Sequence, residues 1–236
     1  MRLIGATALA LALGGCGSSS VDRNFAVSGF DRVRVIGGDR VDVTTSDSFA
    51  VVARGQRDVL DQIEVRRDGG TLVIQRRRAP QMHWSGWGWW RAFSSDRARI
   101  KVALPRLAGI ATLGAPRVDV DKVSGDAFEA KMEGAGRIDI DALTVQRARF
   151  DLAGAGEVRA KGHVAQLVGR LKGAGELQMK RLHADAADIE VAGAGRVRAA
   201  VDGPARVATL GAGRVDLGSK ARCTITREGI GKVRCG

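Results

Sequence analysis

The residues best placed to do chemistry are carboxylates that recur at a fixed interval. Asp119 and Asp139 lie twenty positions apart, and Asp121 and Asp141 follow them by two. Paired carboxylates carry out acid–base work on glycosidic bonds, and with calcium they assist attack on acidic sugars. Each of these pairs is preceded by an arginine, Arg117 or Arg137, and the next intervals hold Glu157 with Arg159 and Glu176 with Gln178, then Arg196. Interleaved signs of this kind also describe ordinary cross-strand pairing on a solvated sheet face, at under about 1 kcal/mol per pair. The solvated face is the simpler account, and it assigns no catalytic residue. A polysaccharide lyase-like or hydrolase-like enzyme is the alternative.

Other reactive residue types are sparse. His163 and His183 are also twenty apart, with Asp185 nearby, but a metal site needs three or four ligands in fixed geometry and no further ligand stands out. No metal and no cofactor is therefore expected. His83 has no partner in the sequence. It falls within the segment "APQMHWSGWGWWRAF", which contains Trp84, Trp87, Trp89 and Trp90, every tryptophan of the chain; Arg76, Arg77 and Arg78 precede these tryptophans and Arg91 follows them. Aromatic faces beside cations suit sugar rings, acidic glycans or lipid headgroups. The same bulk could instead cover an open end or side of the fold. Trp84, Trp87, Trp89, Trp90 and Arg91 are the candidate ligand-binding residues.

Positioning these groups requires knowing what repeats. A small-residue triplet recurs with its first glycine at Gly114, Gly134, Gly154, Gly173, Gly193, Gly211 and Gly229, in steps of 20, 20, 19, 20, 18 and 18. Regular self-similarity of this length indicates stacked structural units. After each triplet, apolar residues alternate with polar ones, as in Val118/Val120, Ile138/Ile140 and Val158/Ala160, and the residues before it do likewise, as in Phe128/Ala130/Met132 and Ala148/Phe150/Leu152. Period two is the signature of strands with one buried face. A weaker apolar segment (Val123, Leu143 with Val145, Val164, Leu182, Val201) closes a third side. The expected fold is all-β: a single-stranded parallel β-helix with coils of about 20 residues, whose equivalent strands stack about 4.8 Å apart. Its corners are Gly134 and Gly136, Gly154 and Gly156, Gly173 and Gly175, Gly193 and Gly195, and Gly211 and Gly213. A phosphate-cradling loop is excluded because strands, not helices, follow the glycines.

Upstream, the chain is β-rich but less regular. "FDRVRVIGGDRVDVTT" reads as two strands around a Gly-Gly-Asp corner, "QRDVLDQ" as one helical turn, and "IEVRRDGGTLVIQRR" as a hairpin turning at Asp68-Gly69-Gly70. The organisation expected is a signal peptide at 1–15, a tether at 16–24, an N-terminal β-rich part at 25–110 with a Trp-rich insert at 79–98, and the repeat region with a C-terminal cap at 111–236. Cys223 and Cys235 fall on inward positions of the terminal coil. A disulfide between them would close the stack, contributing about 3 kcal/mol; two buried thiols are the alternative.

Two resemblances add to this. "MRLIGATALALALGGC" resembles a bacterial lipoprotein signal, with Leu13–Cys16 as its lipobox, which implies lipidation at Cys16 and stable membrane attachment through acyl chains. Gly17 follows the cysteine where aspartate would signal inner-membrane retention, so an outer-membrane lipoprotein, facing the periplasm or the surface, is expected. The stretches "FDRVRVIGGDRVDVTTSDSFAVVARGQRDVLDQIEVRRDGGTLVI" and "IKVALPRLAGIATLGAPRVDV", together with the triplet ladder, are similar to the head GIN domain family, described as "putative auto-transporter adhesin". The resemblance covers about residues 25–220 and implies an exported, non-enzymatic, right-handed β-helical envelope protein. It supplies no catalytic motif.

Charge points to the partners. Lys and Arg number 38 against 26 acidic residues, a net charge of +12. In an envelope the anions available are lipid headgroups, lipopolysaccharide phosphates and acidic polysaccharides. No nucleic-acid module is present, so nucleic acid is not an expected partner. A non-catalytic, lipid-anchored adhesin binding a surface polysaccharide or other envelope component is the expected function. A structural spacer is the remaining alternative, and the oligomeric state stays open.

Overall fold

Alternation at period two puts one residue in two against a common interior, and the interval of about 20 residues brings the chain back over itself. The computed structural model describes residues 20–77 and 97–236, and these form a β-solenoid of about six turns with irregular strands at the N-terminal end. The repeat begins with β8 (Gly109–Gly114), β9 (Arg117–Gly134), β10 (Arg137–Gly154), β11 (Glu157–Gly173) and β12 (Glu176–Gly193). It continues with the shorter β13 (Arg196–Val201), β14 (Pro204–Gly211), β15 (Arg214–Asp216), β16 (Arg222–Glu228) and β17 (Lys232–Arg234). Pairing between successive coils is parallel: Arg117 lies beside Arg137 and Gly134 beside Gly154, then Arg137 beside Glu157 and Gly154 beside Gly173.

Two physical requirements hold the corners in register. At Gly134 the backbone has φ +125°, a conformation that a side chain strains. A Cβ at Gly136 would stand 2.6 Å from the carbonyl oxygen of Pro116 on the coil below. The alanine between the glycines is exposed and donates its N–H to the previous corner, Ala135 to Gly114 O at 2.9 Å and Ala155 to Gly134 O at 3.0 Å. Inside, the expected apolar residues are buried: Val118, Ile138 and Val158 in a column on one side, Phe128, Ala148 and Leu167 on another, and on the third Val123 against Leu143 and Val145 against Val164. Phe128 and Phe150 meet edge to face with ring centroids 6.3 Å apart. Burying each such ring is worth about 1.5–3 kcal/mol.

The N-terminal strands do not stack in chain order. They are β1 (Val21–Phe25), β2 (Arg32–Gly37), β3 (Arg40–Thr45), β4 (Ala50–Gly55), β5 (Ile63–Asp68), β6 (Thr71–Arg76) and β7 (Arg99–Leu104), with one helical turn, α1 (Arg57–Asp61), between β4 and β5. β2 lies between β6 and β8, and β3 between β7 and β9, all parallel. The Gly-Gly-Asp corner at 37–39 is therefore one more level of the corner column: Ala115 N–H donates to Gly37 O at 2.9 Å, and Arg117 N–H to Asp39 O at 3.1 Å. Beyond this level β5 pairs antiparallel with β6, β4 with β7, and β1 with β4, while α1 buries Val59 and Leu60. The hairpin turn falls on Gly69 and Gly70 as expected. One hydrophobic core runs from Phe30 to Ala221, so the two parts expected at 25–110 and 111–236 share an interior.

Two boundaries and the burial of one coil differ from expectation. Residues 21–24, assigned to the tether, belong to β1, because their backbone pairs with β4 and Val21 and Phe25 pack against the core. Ala98, assigned to the Trp-rich insert, is fully buried in the coil. In the C-terminal coil, Val233, Cys223 and Cys235 are half-buried, since among the described residues β16 and β17 pair on one side only. Among the described residues no helix is long and apolar enough to cross a membrane.

Candidate functional site

The face that follows the corner carries its outward residues in two columns, two residues apart along each strand. Asp119 and Asp139 are neighbours in one of them, as their spacing implied. Neither carboxylate is free to act. Asp119 is held by Arg40 Nη2 at 2.7 Å and Arg117 Nε at 3.3 Å, and Asp139 by Arg117 Nη2 at 3.3 Å with Arg159 Nε at 3.9 Å. The chain of pairs continues with Arg137 to Glu157 at 2.8 Å and Arg198 to Glu176 at 3.5 Å. Desolvation pushes the Asp139 carboxyl above its ordinary pKa, opposed by the charges of Arg117 and Arg159. Asp121 is occupied otherwise: its carboxylate accepts the N–H of Thr45 at 3.0 Å where β3 ends. Asp141 is paired with Lys161 at 2.8 Å. Asp119, Asp139 and Asp141, with Arg117, Arg159 and Lys161, border an open concavity of about 590 Å³. Chemically the arrangement is an ion-pair ladder, and its exposed members contribute under about 1 kcal/mol each.

The two histidines are in register on adjacent coils. His163 Nε2 lies 3.0 Å from Asp185 Oδ1, as their proximity in sequence suggested, while His183 Nδ1 lies 3.6 Å from Asp202 Oδ2, and the other oxygen of Asp202, Oδ1, faces Lys220 Nζ at 3.7 Å. Each imidazole thus has a separate carboxylate. Among the described residues no group of three or more His, Cys, Asp or Glu side chains is arranged to hold a metal ion.

Cys223 and Cys235 are joined in a disulfide, with Cα atoms 6.2 Å apart, tying the two strands of the last coil together. Cys16, His83, Trp84, Trp87, Trp89, Trp90 and Arg91 lie outside the described residues. The two ends from which the Trp-rich segment departs are nevertheless fixed. β6 pairs with β2 and β7 with β3, the two strands on either side of the Gly-Gly-Asp corner. Asp39, only 3% exposed, binds both ends at once: it accepts Arg76 Nε at 2.9 Å and Nη2 at 2.5 Å, and the N–H of Ala98 at 3.1 Å. This anchor went unrecognised in the sequence, although an aspartate at the position held elsewhere by glycine or proline was a signal for it.

Comparison with known proteins agrees with this architecture. Residues 29–221 match the family described as "Putative auto-transporter adhesin, head GIN domain". Among solved structures, the chain is similar to one from Bacteroides fragilis described as a "putative adhesin", at 18% identity and TM-score 0.79 over 93% of this chain and 98% of that one. A Parabacteroides distasonis structure described as a "putative lipid binding protein" is 17% identical, with TM-score 0.68 over 92% of this chain and 96% of its own. A second structure from that organism, described as a "putative adhesin", is 12% identical with TM-score 0.64, covering 93% of this chain and 98% of its own. No match was found among curated proteins. At these identities the structures establish a shared fold, and the match over residues 29–221 establishes kinship: the chain belongs to the head GIN domain family.

Proposed function

We propose that this protein is a non-catalytic, lipid-anchored adhesin of the cell envelope that binds a surface polysaccharide or another envelope component along its outer faces. The observation that carries this reading is the in-register stacking of outward side chains. A filled interior surrounded by columns repeating about every 4.8 Å offers extended, regular surface, which suits a repeating polymer better than a small molecule. Family membership supports it, and the disulfide is of the kind retained in oxidising compartments. Lipidation of Cys16 would hold the protein at an outer membrane, and Trp84, Trp87, Trp89, Trp90 and Arg91 would supply aromatic and cationic contacts to the ligand.

The test is retention of the wild-type protein on immobilised acidic glycans, neutral glycans and lipopolysaccharide, beside a variant with Trp87, Trp89 and Trp90 changed to Ala. Retention on at least one surface is expected, with loss of about tenfold or more in the variant, since each stacked aromatic is worth about 0.5–1.5 kcal/mol. No retention of the wild-type protein on any of them refutes the adhesin reading. Equal retention of both proteins removes the tryptophans from it.

A further inference from the structure

The ion-pair ladder changes character along the solenoid. From β3 to β11 each coil carries one acid and one base in the two columns after the corner: Arg40/Asp42, Arg117/Asp119, Arg137/Asp139, Glu157/Arg159. In the last three coils the same positions hold Arg196/Arg198, Arg214/Asp216 and Lys232/Arg234, five cations to one acid. Register stacks Arg196, Arg214 and Lys232 directly on one another. Like charges in register are destabilising; Arg40, Arg117 and Arg137 stack in the same way, but each has a carboxylate two residues along its own strand, Asp42, Asp119 or Asp139, with which the column of arginines forms ion pairs. Among the described residues Arg214, Lys232 and Arg234 make no ion pair, and Arg227 of β16 joins them around an open concavity of about 480 Å³ whose one acidic lining residue is Asp216. Residues 212–236 contain six cations and two acids, a net +4.

Charges on edge strands also deter unwanted strand pairing, and Arg227, Lys232 and Arg234 lie on the outermost strands. That role does not extend to Arg214, one level inside, or to Arg196 and Arg198, two levels inside.

We infer that the last three coils form a binding face for a linear acidic polysaccharide, with Arg214, Arg227, Lys232 and Arg234 as its principal contacts. This rests on the adhesin reading and names the ligand class and the place. These four contacts lie on two successive levels, and Arg196 and Arg198, beside Glu176, extend the cations to a third, about 10 Å along the stack, which exceeds what one small anion can span, whereas a polymer with an acidic group on successive sugars can follow it. Guanidinium groups pair planar carboxylates in two-point fashion, and three of the four contacts are arginines. A polyanion lying along the column would also relieve the repulsion between its members.

The experiment measures binding of the 236-residue protein to alginate oligomers by biolayer interferometry, with neutral dextran as reference. Three proteins are compared: wild type; Arg214→Gln/Arg227→Gln/Lys232→Gln/Arg234→Gln; and a control of equal charge change, Arg57→Gln/Lys101→Gln/Lys122→Gln/Lys172→Gln. With two- to fivefold expected per cation, the first variant should lose on the order of 10²-fold in affinity. The control should lose less than about threefold, and wild-type affinity should fall steeply as salt rises from about 50 to 200 mM. Removing stacked like charges should leave the melting temperature unchanged or higher, and the pair variant Arg214→Gln/Lys232→Gln should lose about tenfold, so the loss reads as binding and not folding. Equal losses in the two four-residue variants would overturn the site. So would alginate binding unchanged by the first variant, or self-association of the wild type through this end that competes with alginate. If the wild type binds dextran or another neutral glycan as tightly as alginate, the acidic ligand class falls while the adhesin reading stands.

Discussion

Asp39 offers the sharpest perturbation of the fold. Its carboxylate is 4% exposed in the side chain and accepts three hydrogen bonds, two from Arg76 and one from the Ala98 N–H, joining strands that depart toward residues 78–96. Asp39→Ala removes all three. It leaves the Ala98 amide without its acceptor, in a residue of no exposure, and takes away the carboxylate that faces the Arg76 guanidinium. Breaking one side of a buried pair costs about 3–5 kcal/mol. The Arg76 side chain retains 28% exposure and can rehydrate in part, so the lower end applies, about 3 kcal/mol. For a chain of this length that corresponds to a fall of about 6–12 °C in melting temperature. Asp39→Asn keeps an acceptor for Ala98 and should cost about 1–2 kcal/mol. Thermal unfolding followed by circular dichroism gives the magnitude. Hydrogen exchange gives the place: the amides of Ala98 and of Arg40, which donates to Ala98 O at 3.1 Å, should lose protection while those of β10 and β11 keep it. A shift below about 2 °C, or uniform loss of protection along the solenoid, would refute the anchor.

Two further perturbations address the other end and the ladder. Changing Cys223 and Cys235 to Ala, or reducing the bond, reopens a twelve-residue separation and should destabilise the last coil by about 3 kcal/mol, seen as faster proteolysis between residues 218 and 236 with no change at β9 to β12; equal cleavage rates would deny the bond a stabilising role. The raised pKa of Asp139 means that the folded state holds its proton more tightly than the unfolded chain, so its favourable contribution is complete below about pH 3.9 and is lost as pH rises through the folded value. Asp139→Asn should therefore melt at the same temperature as wild type near pH 3 and at an equal or slightly higher one near pH 7. A variant less stable at pH 7 than at pH 3, relative to wild type, would reverse that sign.

The repeat was legible because two periods coincide in it. Alternation at two marks Ile138, Ile140 and Phe150 as interior, and the interval near twenty predicts that Gly134 stacks on Gly114. Local turn chemistry likewise revealed the hairpin at Gly69-Gly70 and the helical turn α1. The insertion of β2 and β3 between strands that follow them by tens of residues has no local signal, since Val33, Val41 and Val43 alternate in the same way whatever their neighbours are. The Asp39 anchor was hidden for the same reason, its partners being 37 and 59 residues away. In the site itself, spacing brought Asp119 to Asp139, His163 to His183 and Asp185 to His163 correctly, but not Arg40, which reaches Asp119 from an N-terminal strand, nor Asp202 beside His183. Burial of Cys223 and Cys235 was overstated, since the periodic pattern marks an inward direction without showing whether another layer lies above.

The misordered threading of residues 32–45 bears on how the molecule can be shortened or assembled. Their level has neighbours on both sides that are synthesised later, so a nascent chain holds β2 and β3 with neither flank in place until β6 to β9 arrive. Growth toward the C-terminus can then proceed coil by coil, each new turn landing on a finished one. Whole turns could be deleted from that side and leave a shorter rod, whereas cutting away the first fifty residues would excise a middle layer and leave two unmatched surfaces facing each other.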